Sequence, residues 1–168
     1  MTLDINTPRG QNSLAYEREC VQLFCKIHPD YRFLETDKRE PAAVDGFFYL
    51  HRNQSVESIV EIKTRDMTQE QLVCGYGNEW LITHEKILRG KRVSELIRSP
   101  FVGMLYLIPD KLILTIRITD KRGKFLLDFD VRKTRTSASI NGGETVGENA
   151  FIPMEKAKEH KWTTKQNA

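Results

Sequence analysis

The sequence predicts an α/β domain in which helices flank a mixed central β-sheet. Three stretches indicate this fold class: an amphipathic helical stretch over residues 12–27, a strand pair over 44–63, and two apolar strands over 101–119. Helices that alternate with strands rich in β-branched and aromatic residues are typical of such folds. The chain has 168 residues, which predicts one domain with a core over 12–135 and an extension over 136–168.

Composition sets limits on the class of protein. The net charge is +3, with 39% hydrophobic and 29% charged residues, which is ordinary for a globular domain and does not by itself indicate nucleic-acid binding. The cysteines at 20, 25 and 74 are odd in number and lack metal-ligand spacing, which predicts free buried thiols in a reducing cytosol. No apolar run approaches the ~20 residues that a membrane span needs. We therefore expect a cytoplasmic protein with no membrane partner.

The first predicted element is a helix that carries a carboxylate on its apolar side. Asn12 or Ser13 is expected to cap it, and His28-Pro29 ends it near Ile27. At ~100° per residue, Glu17 falls on the apolar side, where an unpaired buried carboxylate is costly. Glu17 therefore requires a metal or another partner, or is a helix-edge residue that pairs with a lysine. The apolar face comprises Leu14, Tyr16, Cys20, Val21, Leu23, Phe24 and Ile27.

After a predicted edge strand over residues 31–35, two strands over 44–50 and 56–63 form a hairpin. Side chains alternate between the two faces of a strand, so Glu61 and Lys63 share one face while their apolar neighbours share the other. The second strand therefore presents an acid and a base side by side.

The length of the hairpin loop decides where Asp45 lies. A loop of five or three residues centred on Asn53 places Asp45 opposite Glu61. Directly opposed Cβ atoms are ~5 Å apart, close enough for two carboxylates to hold one divalent ion. An even-numbered loop centred between Asn53 and Gln54 places Asp45 opposite Ile62, and the acids then face apart. We favour the odd-numbered loop.

Further helices and strands complete the predicted sheet. Thr68 and Gln71 have capping-box spacing, which predicts a short helix. A helical region from Thr83 to Arg98, interrupted at Gly90, is expected after a brief buried run. The remaining predicted elements are strands at 101–108, 112–119 and 125–131, a basic extension at 132–135, a surface loop at 136–148 and a short helix at 154–160.

The acids and the lysine of the hairpin have the chemistry of a metal-dependent nuclease. Cleavage of a phosphodiester requires an activated water and neutralisation of charge on phosphorus, and carboxylates that hold Mg²⁺ supply both. A lysine beside the metal stabilises developing charge. Asp45, Glu61 and Lys63 form such a set. The alternative is that Glu61 and Lys63 are a surface ion pair.

The order of these elements resembles the PD-(D/E)xK nuclease superfamily over about residues 12–119. That family has a helix bearing an acid, a hairpin carrying Asp and Glu-x-Lys, then a helix and more strands; Val44 stands here at its nominal proline. The resemblance implies a restriction-endonuclease-like fold that hydrolyses DNA with Mg²⁺ or Mn²⁺ in recombination, repair or phage DNA processing. It implies the following site: Asp45, Glu61 and the main-chain carbonyl of Ile62 as metal ligands, Lys63 as the catalytic lysine, and Glu17 as a further catalytic ligand, similar to the helix-one glutamate of archaeal Holliday-junction resolvases.

Nucleic acid and a second copy of the chain are the expected partners. Gln71 and Tyr76 are five positions apart, which departs from the Gln-x-x-x-Tyr of one branch of the family. A two-fold dimer, typical of a junction resolvase, is favoured; an exonuclease ring, a restriction-type endonuclease and a catalytically silent binding module are the alternatives. The candidate nucleic-acid contacts are Arg65, Gln71, Lys86, Arg89, Lys91 and Arg92, with Arg132, Lys133 and Arg135 further along the chain.

Overall fold

A mixed β-sheet of six strands organises the molecule. The computed structural model describes residues 6–137 and 144–164. The helices are α1 (Pro8–Ile27), α2 (Gln69–Gly75) and α3 (His84–Ile97). The strands are β1 (Tyr31–Glu35), β2 (Gly46–Leu50), β3 (Val56–Arg65), β4 (Glu79–Thr83), β5 (Phe101–Leu107), β6 (Leu112–Arg117), β7 (Asp130–Ser137), β8 (Glu144–Pro153) and β9 (Lys158–His160).

The strand order of the main sheet is β1-β2-β3-β5-β6-β9, and a smaller sheet has the order β4-β8-β7. In the main sheet β3 and β5 are parallel, and the other neighbours are antiparallel. Parallel neighbours need a crossover connection, which here contains α2, β4 and α3. The predicted α/β class, with a mixed sheet flanked by helices, is confirmed.

The two faces of the main sheet belong to two separate hydrophobic clusters. On one face, Cys20 and Phe24 of α1 pack with Ile62 of β3. On the other face, Ile59 of β3 packs in the cluster that contains Ile87 of α3 and the smaller sheet. Side chains on β3 alternate between these clusters, so the odd-numbered positions point away from α1.

Helix α1 begins earlier than the sequence predicts. Thr7 is the N-cap, and its hydroxyl accepts a hydrogen bond from the amide of Gly10 at 3.0 Å. Pro8 occupies the first helical turn, where its fixed φ and missing N–H are favourable. The predicted cap at residues 12–13 is therefore wrong, and Tyr16, predicted on the apolar face, is 39% exposed. Within the described ranges, no helix is long and apolar enough to cross a membrane.

Helix α3 runs through Gly90 without the predicted interruption. A Cβ at Gly90 would lie 2.3 Å from the ring of Phe101. The glycine therefore allows the helix to approach β5 closely, which is a packing role rather than a helix-breaking one.

The C-terminal third differs most from prediction. The predicted strand over 125–131 contributes one isolated bridge, and β7 begins at Asp130. In place of the loop predicted over 136–148, β7 continues to Ser137 and β8 begins at Glu144. The residues between them lie outside the described ranges. The helix predicted over 154–160 is wrong, because β9 pairs there with the exposed edge of β6. This part of the chain supplies strands to both sheets.

The three cysteines are free thiols but not all are buried. Cys20 is buried, Cys25 is partly buried and Cys74 is exposed. The prediction of buried thiols is therefore wrong for Cys74, which lies near the end of the short helix α2, where one face is open to solvent.

Candidate active site

A β-bulge in β3 sets the register of the β2–β3 hairpin. Tyr49 pairs with Val56, whereas Phe48 pairs with Ser58. Glu57 is therefore an extra residue on β3, and a bulge of this kind shifts the register by one position. Without that shift, Gly46, Phe47 and Phe48 of β2 would each pair with the preceding residue of β3.

Beyond the bulge, Asp45 lies directly before β2 and beside Val60 of β3. Gly46 pairs with Val60, and the amide of Asp45 donates to the carbonyl of Val60 at 3.0 Å. Five residues link the two strands, as predicted. However, the pairing beside the loop is not centred on Asn53; that register begins at Phe48, which pairs with Ser58. The strand pairing ends at Gly46 and Val60, so the direct opposition of Asp45 and Glu61 stays a prediction.

Glu61 is completely buried beside two lysines. Its side chain has 0% exposure, and Lys63 Nζ lies 2.9 Å from Oε1. Lys86 reaches in from α3, with Nζ 3.5 Å from Oε2 and 3.4 Å from the carbonyl of Ala42. Lys63 is the charged partner of Oε1, and no other described residue donates a hydrogen bond to that oxygen. Glu61 and Lys63 are therefore not the surface ion pair considered above.

Asp45 is held as a carboxylate by its neighbours. Its Oδ2 accepts a hydrogen bond from the amide of Ile62 at 2.7 Å, and its Oδ1 lies 3.0 Å from Lys38 Nζ. Burial acts to raise the pKa of Asp45, but the positive charges of Lys63, Lys38 and Lys86, with the Ile62 amide, hold it below its usual value. Asp45 is thus ionised at neutral pH.

Glu17 joins the site through Lys38. Lys38 Nζ lies 3.4 Å from Glu17 Oε2, and the glutamate side chain is 19% exposed. Burial and the nearby charge of Asp45 raise the pKa of Glu17, and Lys38 and Lys63 oppose that shift only in part. The Glu17 carboxylate therefore has a lysine partner, which was one of the two alternatives from sequence.

We call these side chains the carboxylate–lysine cluster: Glu17, Asp45, Glu61, Lys38, Lys63 and Lys86. Three acids and three lysines have formal charges that cancel. Sequence reasoning missed Lys38, because it lies in a charged turn with no periodicity to indicate its direction. Lys86 was predicted as a nucleic-acid contact and instead lies within the cluster, because the inner side of α3 faces β3.

The oxygen atoms of the cluster suit a hard divalent ion. Within the described ranges, no three His, Cys, Asp or Glu side chains group closely enough to form a metal site by themselves. Mg²⁺ needs only one or two carboxylates, because it retains several waters. Glu61, whose buried Oε1 has the Lys63 ammonium as its partner, and Asp45 would be such ligands. The residues therefore fit an ion whose shell is completed by main-chain oxygen and water.

Two of the predicted nucleic-acid contacts serve local structure. The Arg65 guanidinium donates to the carbonyl of Thr64 at 2.9 Å and to that of Leu81 at 3.5 Å, and burial lowers its pKa. Gln71 Oε1 accepts from the amide of Thr68 at 2.8 Å, which completes the predicted capping box. Both side chains thus make hydrogen bonds to main-chain atoms.

The other predicted contacts lie on the outer side of α3 and on β7. Arg89 pairs with Glu85, and Lys91 pairs with Glu95, each one helical turn apart. Arg92 is exposed between them. On β7, the Arg132 guanidinium bonds Asp130 at 2.7 Å and stacks on Phe151, while Lys133 is exposed.

No protein-family model, curated protein or solved structure matches this chain. The functional interpretation therefore depends on the geometry of the carboxylate–lysine cluster.

Proposed function

We propose that this chain is a nuclease of the PD-(D/E)xK type that hydrolyses DNA phosphodiester bonds with Mg²⁺ or Mn²⁺. One observation carries the proposal: Lys63 Nζ lies 2.9 Å from the buried Glu61, and the Asp45 carboxylate reaches the same segment of β3, with 2.7 Å between its Oδ2 and the Ile62 amide nitrogen. The order of α1, the three strands β1 to β3, and a crossover to the parallel β5 supports a restriction-endonuclease-like core.

In this proposal, four residues each contribute an oxygen to the metal site. Asp45, Glu61 and the main-chain carbonyl of Ile62 hold the metal, and Glu17 adds a further carboxylate. When bound, the ion neutralises phosphate charge and lowers the pKa of a coordinated water. The protein contributes a fixed set of oxygens whose charge is already balanced by lysines.

In this proposal Lys63 supplies a positive charge beside the metal ligands. Burial alone would lower its pKa, but Glu61, Asp45 and Glu17 outweigh that effect and raise the pKa above its ordinary value. The ammonium is therefore protonated at neutral pH. It can donate a hydrogen bond to a phosphate oxygen and stabilise the charge that develops during cleavage.

Cleavage assays with several DNA forms test the proposal. Linear, circular and four-way-junction DNA are incubated with the protein in Mn²⁺, Mg²⁺ or EDTA. We expect cleavage only with metal, and a rate at least ~100-fold lower for Glu61→Gln and Lys63→Met, which is the usual effect of losing a group that stabilises the transition state. Glu155→Gln, which removes an exposed acid after β8, is the matched control and should cleave normally.

Four results separate this proposal from its rivals and from each other. If no nucleic acid is cut and Glu61→Gln leaves Mn²⁺ binding unchanged, the nuclease assignment is wrong. DNA binding without cleavage under all conditions indicates a catalytically silent binding module. Cleavage of circular DNA identifies an endonuclease, and a requirement for free ends identifies an exonuclease.

A further inference from the structure

Lys38 occupies a position between two carboxylates of the site. Its Nζ is 3.0 Å from Asp45 Oδ1 and 3.4 Å from Glu17 Oε2, and its side chain is 17% exposed. The ammonium is thus bonded by both acids and largely shielded from water. It lies where these two oxygens would otherwise bind a cation.

Charge balance opposes metal binding while all three lysines stay in place. Three acids and three lysines sum to zero, so a divalent ion entering the intact cluster would leave a charge of +2 in a largely buried site. Like charges in a low-dielectric environment repel strongly. Withdrawal of one lysine lowers this excess charge to +1.

Lys38 is the lysine best able to withdraw. Lys63 lies in β3, where it pairs with Leu105 of β5 in the centre of the main sheet. Lys86 lies within α3, one of the helices that cover the sheet. Lys38 instead belongs to the irregular connection between β1 and β2, outside the strands and helices that hold the other two lysines. Its ammonium bonds Asp45 and Glu17, two of the three acids of the proposed site.

We propose that Lys38 is a built-in counter-cation that holds Glu17 and Asp45 together in the metal-free protein and is displaced when a divalent ion binds. This inference rests on the proposed metal site. Lys38 thereby controls the affinity for metal, because the ion must compete with a tethered ammonium for the same carboxylates.

Calorimetric titration with Mn²⁺ in the absence of DNA tests the competition. Lys38→Met and Lys38→Gln each remove the charge, and we expect both to bind Mn²⁺ at least about tenfold more tightly than the wild-type protein. Arg39→Gln is the matched control. It removes one charge from the same connection, where Arg39 is 83% exposed and pairs with Asp37 at 2.8 Å. Its affinity for Mn²⁺ should stay within about twofold of wild type.

Thermal unfolding in EDTA and in Mn²⁺ separates displacement from a purely structural role. Without Lys38, Glu17 and Asp45 repel each other, so the Lys38 variants should unfold at lower temperature than wild type in EDTA. Saturating Mn²⁺ should remove most of that difference. A deficit of equal size in both conditions would show that Lys38 only supports the fold, and would overturn the inference.

The outcomes for the inference and for the nuclease proposal are distinguishable. If wild type cleaves DNA but both Lys38 variants bind Mn²⁺ no more tightly than wild type, the role of Lys38 is wrong and the nuclease proposal stands. If the variants bind more tightly but wild type cleaves no nucleic acid, only the nuclease proposal is wrong. If no form binds Mn²⁺, both are wrong.

Discussion

The carboxylate of Asp45 accepts a hydrogen bond from the main-chain amide of Ile62, with 2.7 Å between Oδ2 and the nitrogen. The other oxygen, Oδ1, lies against Lys38. One side chain thus joins the start of β2 to β3 and also supplies negative charge to the cluster. The two contributions can be separated by substitution.

Asp45→Asn should lose metal binding but keep the link to Ile62, because the amide oxygen of asparagine still accepts a hydrogen bond. Asp45→Ala loses both and leaves the Ile62 amide without its acceptor. We expect Asp45→Ala to be about 1 to 3 kcal/mol less stable than Asp45→Asn in urea denaturation. Neither variant should bind Mn²⁺ in a calorimetric titration. Equal stability of the two variants would show that the bond to Ile62 contributes nothing.

Gly103→Ala should destabilise the fold beside the site. Gly103 pairs with Glu61 across β3 and β5, and a Cβ there would lie 2.1 Å from the ring of Trp80. Overpacking of a full core typically costs about 1 to 3 kcal/mol. The control is Gly75→Ala in α2, where a Cβ meets nothing within 4 Å and a gain of about 0.4 to 1 kcal/mol is expected. Thermal unfolding measures both; a neutral Gly103→Ala would contradict this packing.

His160 should make stability depend on pH. Its Nδ1 lies 2.8 Å from His28 Nε2, and its Nε2 lies 2.8 Å from Thr115 Oγ1. Burial, then the charges of His28 and Lys158, lowers the pKa of His160 to about 4. In the unfolded chain, the imidazole of His160 has its ordinary pKa, near 6.5. The contribution of the neutral His160 to the unfolding free energy is therefore complete above about pH 6.5 and is lost as the pH falls towards 4.

Urea denaturation of wild type and His160→Gln at pH 7 and pH 4.5 measures this contribution. Wild type should lose more unfolding free energy than the variant over that interval, because only wild type has the imidazole that the unfolded chain protonates. The carboxylates titrate in both proteins and cancel in the comparison. Equal losses of unfolding free energy in the two proteins would show that His160 has no part in the pH dependence.

Arg92 should contribute to DNA affinity through phosphate charge. It is exposed on α3, on the same helix as the Lys86 that enters the cluster. Arg92→Gln should weaken DNA binding at low salt and reduce the slope of log K against log salt by about 0.9 for one lost phosphate contact. Fluorescence anisotropy in EDTA measures this without cleavage. Arg122→Gln, an exposed charge in the turn before Phe125, is the control; equal effects would mean that α3 is not the DNA-binding face.

Local sequence patterns predicted much of the structure near the site. The capping box of Thr68 and Gln71 marks the start of α2, because both partners lie within one helical turn. The strand β1 has the predicted bounds, and β3 the predicted start. The alternation on β3 places Glu61 and Lys63 on one face whatever surrounds them. These features depend on residues close together in the chain.

Other features depend on partners distant in sequence. The bulge at Glu57 has no distinctive residue pattern, and β9 is a strand only because the edge of β6 is available to it. Lys38 and Lys86 carry no local signal for the site, since a lysine in a turn or on a helix is usually solvated. Their positions follow from how the β1–β2 connection and α3 pack against the main sheet.

The sequence by itself determined that an acid and a lysine share one face of β3, because side-chain alternation is a property of a single strand. Only the tertiary structure decided that Asp45 reaches this part of β3, because its carboxylate bonds the amide of Ile62, which is distant in sequence. It also decided that two further lysines complete the cluster, because burial of three carboxylates requires positive charges from any element that packs close enough to provide them.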